Sequence, residues 1–388
     1  MIPTLSILIP TRNRPKELTS LVSIIKKCQT NRIEFIVSDN SDKVFKINND
    51  PSIKLLRPKR ILNMTDNWNF LLAHATGKYI TFLGDDDAFI PTELLKLTRF
   101  ANSCSSDIIW TNSAGYGWPF QGKVASFYQN MNNQLKLMDL AKMHKEILNL
   151  NHKIDLPVPY CRVIFHRRIL TYFWNNHPNE NFCAPRIPDI SAAIKIAFIS
   201  NSQINYNRTV FISGASTASN GRLTRDGSAL SKKFEFNNLK FNPLPLGNLS
   251  KLKQAPPFGY ITWYEAYTAS LKQLNLQSHY PEWKSAFKSV FYSSNARLQK
   301  SISEQIWQES GFMISLAYIL HQICYGKFNL IIVKFRSYFN LILAILSSRK
   351  TVTIINGAGV ADTYSLIKFL EQSKILDTNK RIKKISVS

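Results

Sequence analysis

The chain has 388 residues, of which 45% are hydrophobic and 12% aromatic, so it can bury a large core and is not intrinsically disordered. Its 49 basic and 25 acidic side chains give a formal net charge of +24, which favours a polyanionic partner: a nucleic acid, an anionic membrane surface or a phosphorylated substrate. The five cysteines are scattered without a C-x-x-C pair, which argues against a disulfide framework or a zinc site and favours reduced thiols in the cytoplasm.

The first hundred residues alternate between strand-like and helix-like patterns. Strands are predicted at Leu5–Ile9, Glu34–Val37, Ile53–Leu56 and Lys78–Leu83, with helices at Pro15–Lys27 and Asp66–Ala75. Thr65 is the expected N-cap of the second helix, and Gly77 its C-terminal stop. This order predicts an α/β fold with a mainly parallel sheet flanked by helices, in which ligands bind beyond the carboxyl ends of the strands.

The rest of the chain divides into two parts by pattern. From residue 108 to about 225 the pattern is mixed, with predicted strands at Ile108–Thr111, Val163–His166 and Val210–Ser213 and a predicted helix at Asp189–Phe198. Helical patterns dominate beyond residue 231. We therefore expect a catalytic domain over residues 1–230, with halves at 1–105 and 106–230, and a basic, mostly helical C-terminal region over residues 231–388.

Polar side chains cluster where three predicted strands end. Thr11, Arg12 and Arg14 follow the first strand, and Arg together with a helix N-terminus is suited to binding phosphate. Asp39 ends the second strand, and the run 85–87 of three aspartates follows the strand at 78–83. Adjacent carboxylates repel one another, so the run indicates a site for Mg²⁺ or Mn²⁺, with a solvated acidic turn as the alternative.

Four segments in this order resemble family 2 glycosyltransferases. They are Ser6–Pro15, Ile36–Ser41, Asn67–Asn69 and Ala75–Asp87, and the similarity is dense over about residues 3–100 and thinner to about 220. The resemblance implies a GT-A, Rossmann-like fold and an inverting transfer from a nucleotide-diphospho-sugar. Two positions depart from the family pattern: Gly84 stands at the first position of the usual D-x-D motif, and Ser38 where an Asp is common.

The resemblance also implies roles for matching residues. Asp39 corresponds to the carboxylate that recognises the base, Asp85 points toward the ribose, and Asp86 is the principal metal ligand, with Asp87 beside it. The segment that lines the nucleoside and diphosphate comprises Pro10, Thr11, Arg12 and Arg14, and Asn69 is placed in the same nucleotide-sugar site. These assignments imply that Mn²⁺ or Mg²⁺ is the cofactor.

An inverting transferase needs a general base to deprotonate the acceptor hydroxyl. In the family this is an acidic residue at the start of a helix in the second half of the domain, and Asp189 matches that position. The alternative interpretation is that Asp189 only caps the helix, since Asp after Pro is a common capping arrangement.

The C-terminal region contains two strongly apolar stretches, Phe312–Tyr325 and Phe328–Leu346, and the basic cluster Lys380–Lys384. They predict either helices that lie in a membrane interface with basic side chains toward anionic lipid, or helices that pack on the catalytic domain. No apolar run reaches the length of a membrane-spanning helix, and the first residues lack the basic segment of a signal peptide, so we expect neither.

The sequence thus predicts an enzyme that extends a glycan or lipid-linked glycan during bacterial lipopolysaccharide, O-antigen or capsule synthesis. We expect it in the cytoplasm, with peripheral contact to the inner face of the membrane. A sugar-phosphate nucleotidyltransferase is the alternative, but it requires a G-x-G-x-R loop that Pro10–Pro15 does not supply. The net positive charge is the only feature that favours a nucleic-acid-binding protein, so we expect no nucleic-acid partner.

Overall fold

A computed structural model describes residues 2–28, 30–44, 51–119, 125–129, 137–149, 151, 154–184, 187–216, 260–276 and 360–373. The strands are β1 Leu5–Thr11, β2 Ile33–Asp39, β3 Ile53–Leu56, β4 Tyr79–Phe82, β5 Ala88–Phe89, β6 Ile108–Gly117, β7 Ser126–Gln129, β8 Val163–His166 and β9 Gln203–Ala215. The helices are α1 Pro15–Ile25, α2 Met64–His74, α3 Pro91–Ser103, α4 Leu140–Leu148, α5 Arg167–Asn176, α6 Pro188–Ile199, α7 Tyr260–Gln273 and α8 Thr363–Ser373.

The strands form one nine-stranded sheet in the order β3-β2-β1-β4-β8-β6-β9-β5, with β7 paired to β6. The first four strands in this order are parallel, as is the β6–β9 pair, whereas β8, β5 and β7 join antiparallel. The α/β class with helices flanking the sheet is therefore confirmed, and the sheet is mixed. Parallel pairing of β1 with β2 and β4 brings the carboxyl ends of these three strands to one edge.

The sheet is covered on both faces, which explains the continuous apolar runs in its central strands. Along β1, Leu5, Ile7 and Ile9 pack into a cluster that includes residues of α1 and α3. Leu8 points to the opposite face, where it joins a cluster that includes Trp68 of α2. This alternation is the two-residue period of a strand, and it fixes which side chains of the following turn reach the sheet edge.

The start of α2 differs from the prediction. Asn63 is the N-cap, and its Oδ1 accepts a hydrogen bond from the backbone N of Asp66. Thr65, the expected cap, lies inside the helix with its hydroxyl buried and without a hydrogen-bond partner among the described residues. The helix therefore begins earlier than its apolar periodicity indicates, and its C-cap is Ala75 rather than a stop at Gly77.

Strands β6 and β9 extend well beyond the predicted four-residue segments. Polar residues interrupt both strands, and the pairing register shifts on either side of Asn112. Backbone pairing maintains the two strands through these residues, because ladder hydrogen bonds do not depend on the side chain. As a result β9 reaches far enough to place Gly214 against the turn after β4.

Two described helices belong to residues 231–388. Helix α7 packs on α6, and α8 packs on α1, where the hydroxyls of Ser20 and Thr363 share a hydrogen bond and Lys27 pairs with Glu371. The apolar stretches at 312–325 and 328–346 and the basic cluster at 380–384 lie outside the described residues. Within the part of the chain that is described, no helix combines the length and hydropathy needed to cross a membrane. The domain boundary at residue 230 stays a prediction.

Candidate active site

Two turns meet at the edge formed by β1 and β4. Thr11, the last residue of β1, donates from Oγ1 to Asp85 Oδ2 at 2.7 Å, and Arg14 Nη1 lies 3.0 Å from Asp85 Oδ1. The same Arg14 nitrogen lies 3.9 Å from Asp86 Oδ1. Both aspartates are almost fully buried, at 2% and 4% exposure, so the guanidinium compensates two carboxylates that have little access to water.

Burial and mutual repulsion shift the protonation of this cluster. Loss of hydration and the neighbouring Asp86 together raise the pKa of Asp85 to about 7, although Arg14 and Thr11 act in the opposite direction. The pKa of Arg14 is raised above its usual value by Asp85 and Asp86, which outweigh burial of the guanidinium. The cluster therefore favours additional positive charge.

The third aspartate is held by the surrounding backbone. Asp87 Oδ2 accepts from Gly84 N at 2.7 Å and from the Cys161 thiol at 3.0 Å, and Oδ1 accepts from Gly214 N at 2.7 Å. The Tyr160 hydroxyl also donates to this carboxylate. Burial and Asp86 raise the pKa of Asp87 to about 6 in spite of these donors. Asp87 thus joins three segments of the sheet edge, a structural role that the resemblance did not assign to it.

Asp86 has the more open carboxylate of the pair expected to bind metal. Its Oδ2 accepts from the backbone N of Ser216 at 3.1 Å, and its carbonyl oxygen accepts from Trp118 Nε1 at 3.0 Å. Gly214 packs so closely on this turn that a Cβ there would lie 1.7 Å from the Asp86 carbonyl oxygen. Glycine is therefore required at position 214 by the close approach of β9.

Packing explains why Gly84 stands at the first position of the usual D-x-D motif. A Cβ at this position would lie 2.4 Å from the Tyr160 hydroxyl and 2.7 Å from Asp87 Oδ2. These two side chains fill the space that a carboxylate at position 84 would need. Tyr160 and Cys161 were missed by sequence reasoning, because they lie more than 70 residues away in the chain and carry no local motif.

Asp39 is 2% exposed and has a basic partner that the sequence did not indicate. Arg57 Nη1 lies 2.9 Å from Asp39 Oδ2, and Arg57 Nη2 donates to the Ser41 carbonyl at 2.7 Å. The other oxygen, Oδ1, accepts from Ser41 N at 3.0 Å. Arg57 therefore covers the carboxylate that the resemblance assigns to base recognition.

The segment between β1 and α1 is tied to the turn after β2. Asn13 and Asp42 exchange two hydrogen bonds, of 2.8 and 3.0 Å, and Asn13 has a positive φ of 54°. Arg12 Nη2 lies 3.4 Å from Asp42 Oδ1 in the same exposed group. Pro10 pairs in register with Ser38, the other departure from the family pattern. The structure thus brings Pro10, Thr11, Arg12, Arg14, Asp39, Asp85, Asp86 and Asp87 to one edge of the sheet.

The side-chain amide of Asn69 bonds to backbone groups of Thr65 and Cys183. Its Nδ2 donates to the carbonyls of Cys183 and Thr65 at 3.0 and 3.1 Å, and its Oδ1 accepts from Cys183 N at 2.9 Å. The side-chain amide is therefore directed at the segment that precedes α6, and not at the cluster after β4.

Asp189 is the second residue of α6 and is half-buried. Ile187 is the N-cap of this helix, without a capping hydrogen bond from its side chain. Burial raises the pKa of Asp189, although the backbone N–H groups of Asp189 and Ile190 oppose the shift. A raised pKa suits a proton acceptor, and the backbone contacts also agree with the helix-terminal role that was the alternative.

The sheet order, with polar groups of β1, β2 and β4 gathered at one carboxyl edge, defines a GT-A-type α/β domain. Residues 6–167 match the family model described as "Glycosyl transferase family 2". The resemblance to family 2 glycosyltransferases is therefore confirmed over residues 6–167.

Similar solved structures include S. aureus TarS 1–349 in complex with UDP-GlcNAc, at 14% identity and a TM-score of 0.43, covering 73% of this chain and 69% of that chain. They also include S. aureus TarS 1–349 with UDP, at 17% identity and a TM-score of 0.39, covering 55% and 61%. The structure titled S. aureus TarS 1–349 matches at 13% identity and a TM-score of 0.42, covering 78% and 79%. Among curated proteins, no match to the chain was found.

Proposed function

We propose that the protein transfers a sugar from a nucleotide-diphospho-sugar to an acceptor hydroxyl, with inversion at the anomeric carbon. The observation that carries the proposal is the buried cluster of Arg14, Asp85 and Asp86 at the carboxyl edge of β1 and β4, within the family 2 domain. Ligands of open α/β sheets bind at such an edge.

The donor diphosphate is proposed to bind at the turn that leads into α1. Pro15 is the first residue of this helix, so the backbone N–H groups of its first turn are directed toward the turn. Arg12 and Arg14 lie in the same turn and add charge-assisted donors. Asp39, close to Arg57, is proposed to accept from the base, as the resemblance implies.

The site fits a divalent cation, Mg²⁺ or Mn²⁺, whose ligands come partly from the protein and partly from the substrate. The described residues contain no group of three or more His, Cys, Asp or Glu side chains arranged to hold a metal unaided. These cations commonly bind through one or two carboxylates and substrate phosphates, which Asp86 with the diphosphate would supply. The raised pKa of Asp85 agrees with a site that is short of positive charge. When bound, such an ion would offset the negative charge of the diphosphate leaving group.

Asp189 is proposed to be the general base. It would take the proton of the acceptor hydroxyl while that oxygen attacks the anomeric carbon and the bond to the diphosphate breaks. The raised pKa of Asp189 makes it a better proton acceptor than an exposed aspartate.

The acceptor is proposed to be a glycan or lipid-linked glycan of a bacterial lipopolysaccharide, O-antigen or capsule, reached from the cytoplasmic side of the membrane. Residues 231–388 carry 21 basic and 8 acidic side chains, which suits an anionic membrane surface that presents a phosphorylated lipid.

The proposal can be tested with a panel of UDP-glucose, UDP-GlcNAc, GDP-mannose and dTDP-rhamnose, with and without Mn²⁺. We expect one donor to raise Tm and to release its nucleoside diphosphate when an acceptor is added. Asp189→Asn should abolish transfer while donor binding persists, and Asp155→Asn, an exposed carboxylate paired with Arg162, is the matched control. Absence of a Tm shift and of turnover with every donor would reject the proposal.

A further inference from the structure

The side chain of Asn69 joins the two halves of the domain. It lies on α2, in the half that carries the carboxylate cluster, and its amide meets both the N–H and the C=O of Cys183. The residues that make this contact are 114 positions apart in the chain. A side-chain amide that pairs with both polar groups of one residue fixes that residue in position and orientation, as a neighbouring strand would.

A second contact holds the next residue of the same segment. The backbone N of Ala184 donates to Ser191 Oγ at 2.8 Å, and Ser191 lies in the first turns of α6. Lys195 Nζ and the Ser270 hydroxyl of α7 also approach Ser191 Oγ, at 2.9 and 3.0 Å. The backbone at 183–184 is therefore held by α2 on one side and by α6 on the other.

The held segment leads directly into Asp189. Four residues separate Ala184 from Asp189, and α6 begins at Pro188. Ser191, which accepts the hydrogen bond from Ala184 N, lies on the same helix only two residues after Asp189. A displacement of residues 183–184 would therefore move the start of α6 relative to the carboxylate cluster.

We propose that Asn69 is a positioning residue that sets the location of Asp189 relative to the donor by clamping the backbone of Cys183. This inference rests on the proposed function, in which Asp189 accepts the acceptor proton. It replaces the expectation that Asn69 contacts the nucleotide sugar. Both N–H groups of its amide donate to backbone carbonyls, so a hydrogen bond donated to the donor sugar would have to break the clamp.

The clamp predicts a specific separation of kinetic effects. Reacting groups must be held closely in place, and a displacement of about 1 Å can lower the rate about 100-fold. Loss of the clamp should thus lower kcat and leave the donor KM nearly unchanged, because the donor-binding turns after β1 and β4 make no use of Asn69. A direct donor contact would instead raise KM.

The experiment compares wild type, Asn69→Ala and Asn69→Asp, with Asn176→Ala as the control. Asn176 Nδ2 makes a local hydrogen bond to the Tyr172 carbonyl on the exposed face of α5, so its loss should change neither kinetics nor exchange. Hydrogen exchange of a peptide spanning residues 180–191 should accelerate in Asn69→Ala. With the donor that wild type accepts from the panel above, kcat should fall about 10–100-fold with the donor KM within about twofold. Asn69→Asp keeps an oxygen that can accept from Cys183 N. Its kcat and its exchange rate at 180–191 should therefore lie between those of wild type and Asn69→Ala.

The outcomes separate the two ideas. Wild type that transfers no sugar from any donor overturns the proposed function, and with it the positioning role. Wild type that is active while Asn69→Ala mainly raises the donor KM overturns the positioning role alone. Exchange at 180–191 that is the same in wild type and Asn69→Ala overturns the clamp, whatever the activity. If Asn69→Ala does not fold, Asn69→Asp replaces it: a lowered kcat supports the positioning role, and a raised donor KM overturns it.

Discussion

The guanidinium of Arg14 and the carboxylate of Asp85 form an ion pair of 3.0 Å that joins the turn after β1 to the turn after β4. Asp85 is almost fully buried, and about a fifth of the Arg14 side chain is exposed, at 20%. This ion pair has two roles under the proposed function, because the guanidinium that compensates the buried aspartates also brings positive charge to the edge where the donor diphosphate is proposed to bind.

Arg14→Gln should therefore lower both stability and donor affinity. The substitution leaves Asp85 and Asp86 buried without their counter-charge, and removing one partner of a buried pair costs about 3–5 kcal/mol, somewhat less here because Arg14 is partly exposed. Urea denaturation and donor titration measure the two effects. Arg12→Gln is the control for the stability measurement alone, since its partner Asp42 is exposed and its loss should leave stability almost unchanged. Equal destabilisation by both variants would contradict the role given to the buried pair.

Asp86 and Asp87 should differ in which property is lost when each is replaced by Asn: the Mn²⁺ response or stability. Asp86→Asn should abolish the stimulation of transfer by Mn²⁺ with little effect on Tm, because Asp86 is the proposed ligand. Asp87→Asn should lower stability by about 1–3 kcal/mol, since an amide nitrogen would face the donors that Asp87 now accepts from. Metal titration of turnover and urea denaturation of both variants separate these effects. If Asp87→Asn removed the Mn²⁺ response at wild-type stability, the two assignments would have to be exchanged.

Gly84 and Tyr160 should be energetically coupled. Gly84→Ala introduces a methyl group 2.4 Å from the Tyr160 hydroxyl, so it should be clearly destabilising in the wild-type background. Tyr160→Phe removes that oxygen and should relieve part of the cost. A double-mutant cycle by urea denaturation should give a coupling of about 0.5–3 kcal/mol, the range found for residues in contact. Additive effects of the two substitutions would contradict the packing explanation for glycine at this position.

The sequence identifies the groups that strand ends bring together, because each of them is local. A buried apolar run followed by turn residues places Thr11, Asp39 and Asp85 at the carboxyl ends of parallel strands, and parallel pairing then gathers them. The sequence could not predict the side chains that contact these groups from distant positions in the chain. Arg57 covers Asp39 from the segment after β3, and Tyr160 reaches Asp87 from the chain before β8, and neither has a periodic or motif signal.

The contact between Asn69 and Cys183 also depends on distant positions in the chain. The position of Asn69 within the family pattern indicates a functional residue, and the resemblance extends that to the nucleotide-sugar site. The side chain instead reaches Cys183, because α2 packs beside α6 on the same face of the sheet. Similarity to the family thus drew attention to position 69. Its contact with Cys183 could not be predicted from sequence, because it depends on the packing of two helices that are far apart in the chain.

The buried amine of Lys195 gives the stability of the protein a pH dependence. Lys195 is fully buried on α6, with Nζ 2.9 Å from Ser191 Oγ and near the rings of Phe173 and Phe182. Burial lowers its pKa from 10.5 to about 7, although Cys183 and Glu180 act in the opposite direction. Between these two values the unfolded chain binds a proton that the folded protein does not. Stability should therefore rise with pH, by at most about 1.4 kcal/mol per pH unit from this group.

Lys195→Met removes the titrating amine and keeps most of its apolar volume. The variant should be more stable than wild type at pH 7, because the cost of deprotonating the amine is no longer paid on folding, and the advantage should shrink steadily toward pH 9. Urea denaturation at pH 7, 8 and 9 measures this difference. Lys96→Met, on the exposed side of α3 beside Glu93, is the control, and its difference from wild type should stay constant over the same range. A constant difference for Lys195→Met as well would mean that the buried ammonium keeps its proton in the folded protein.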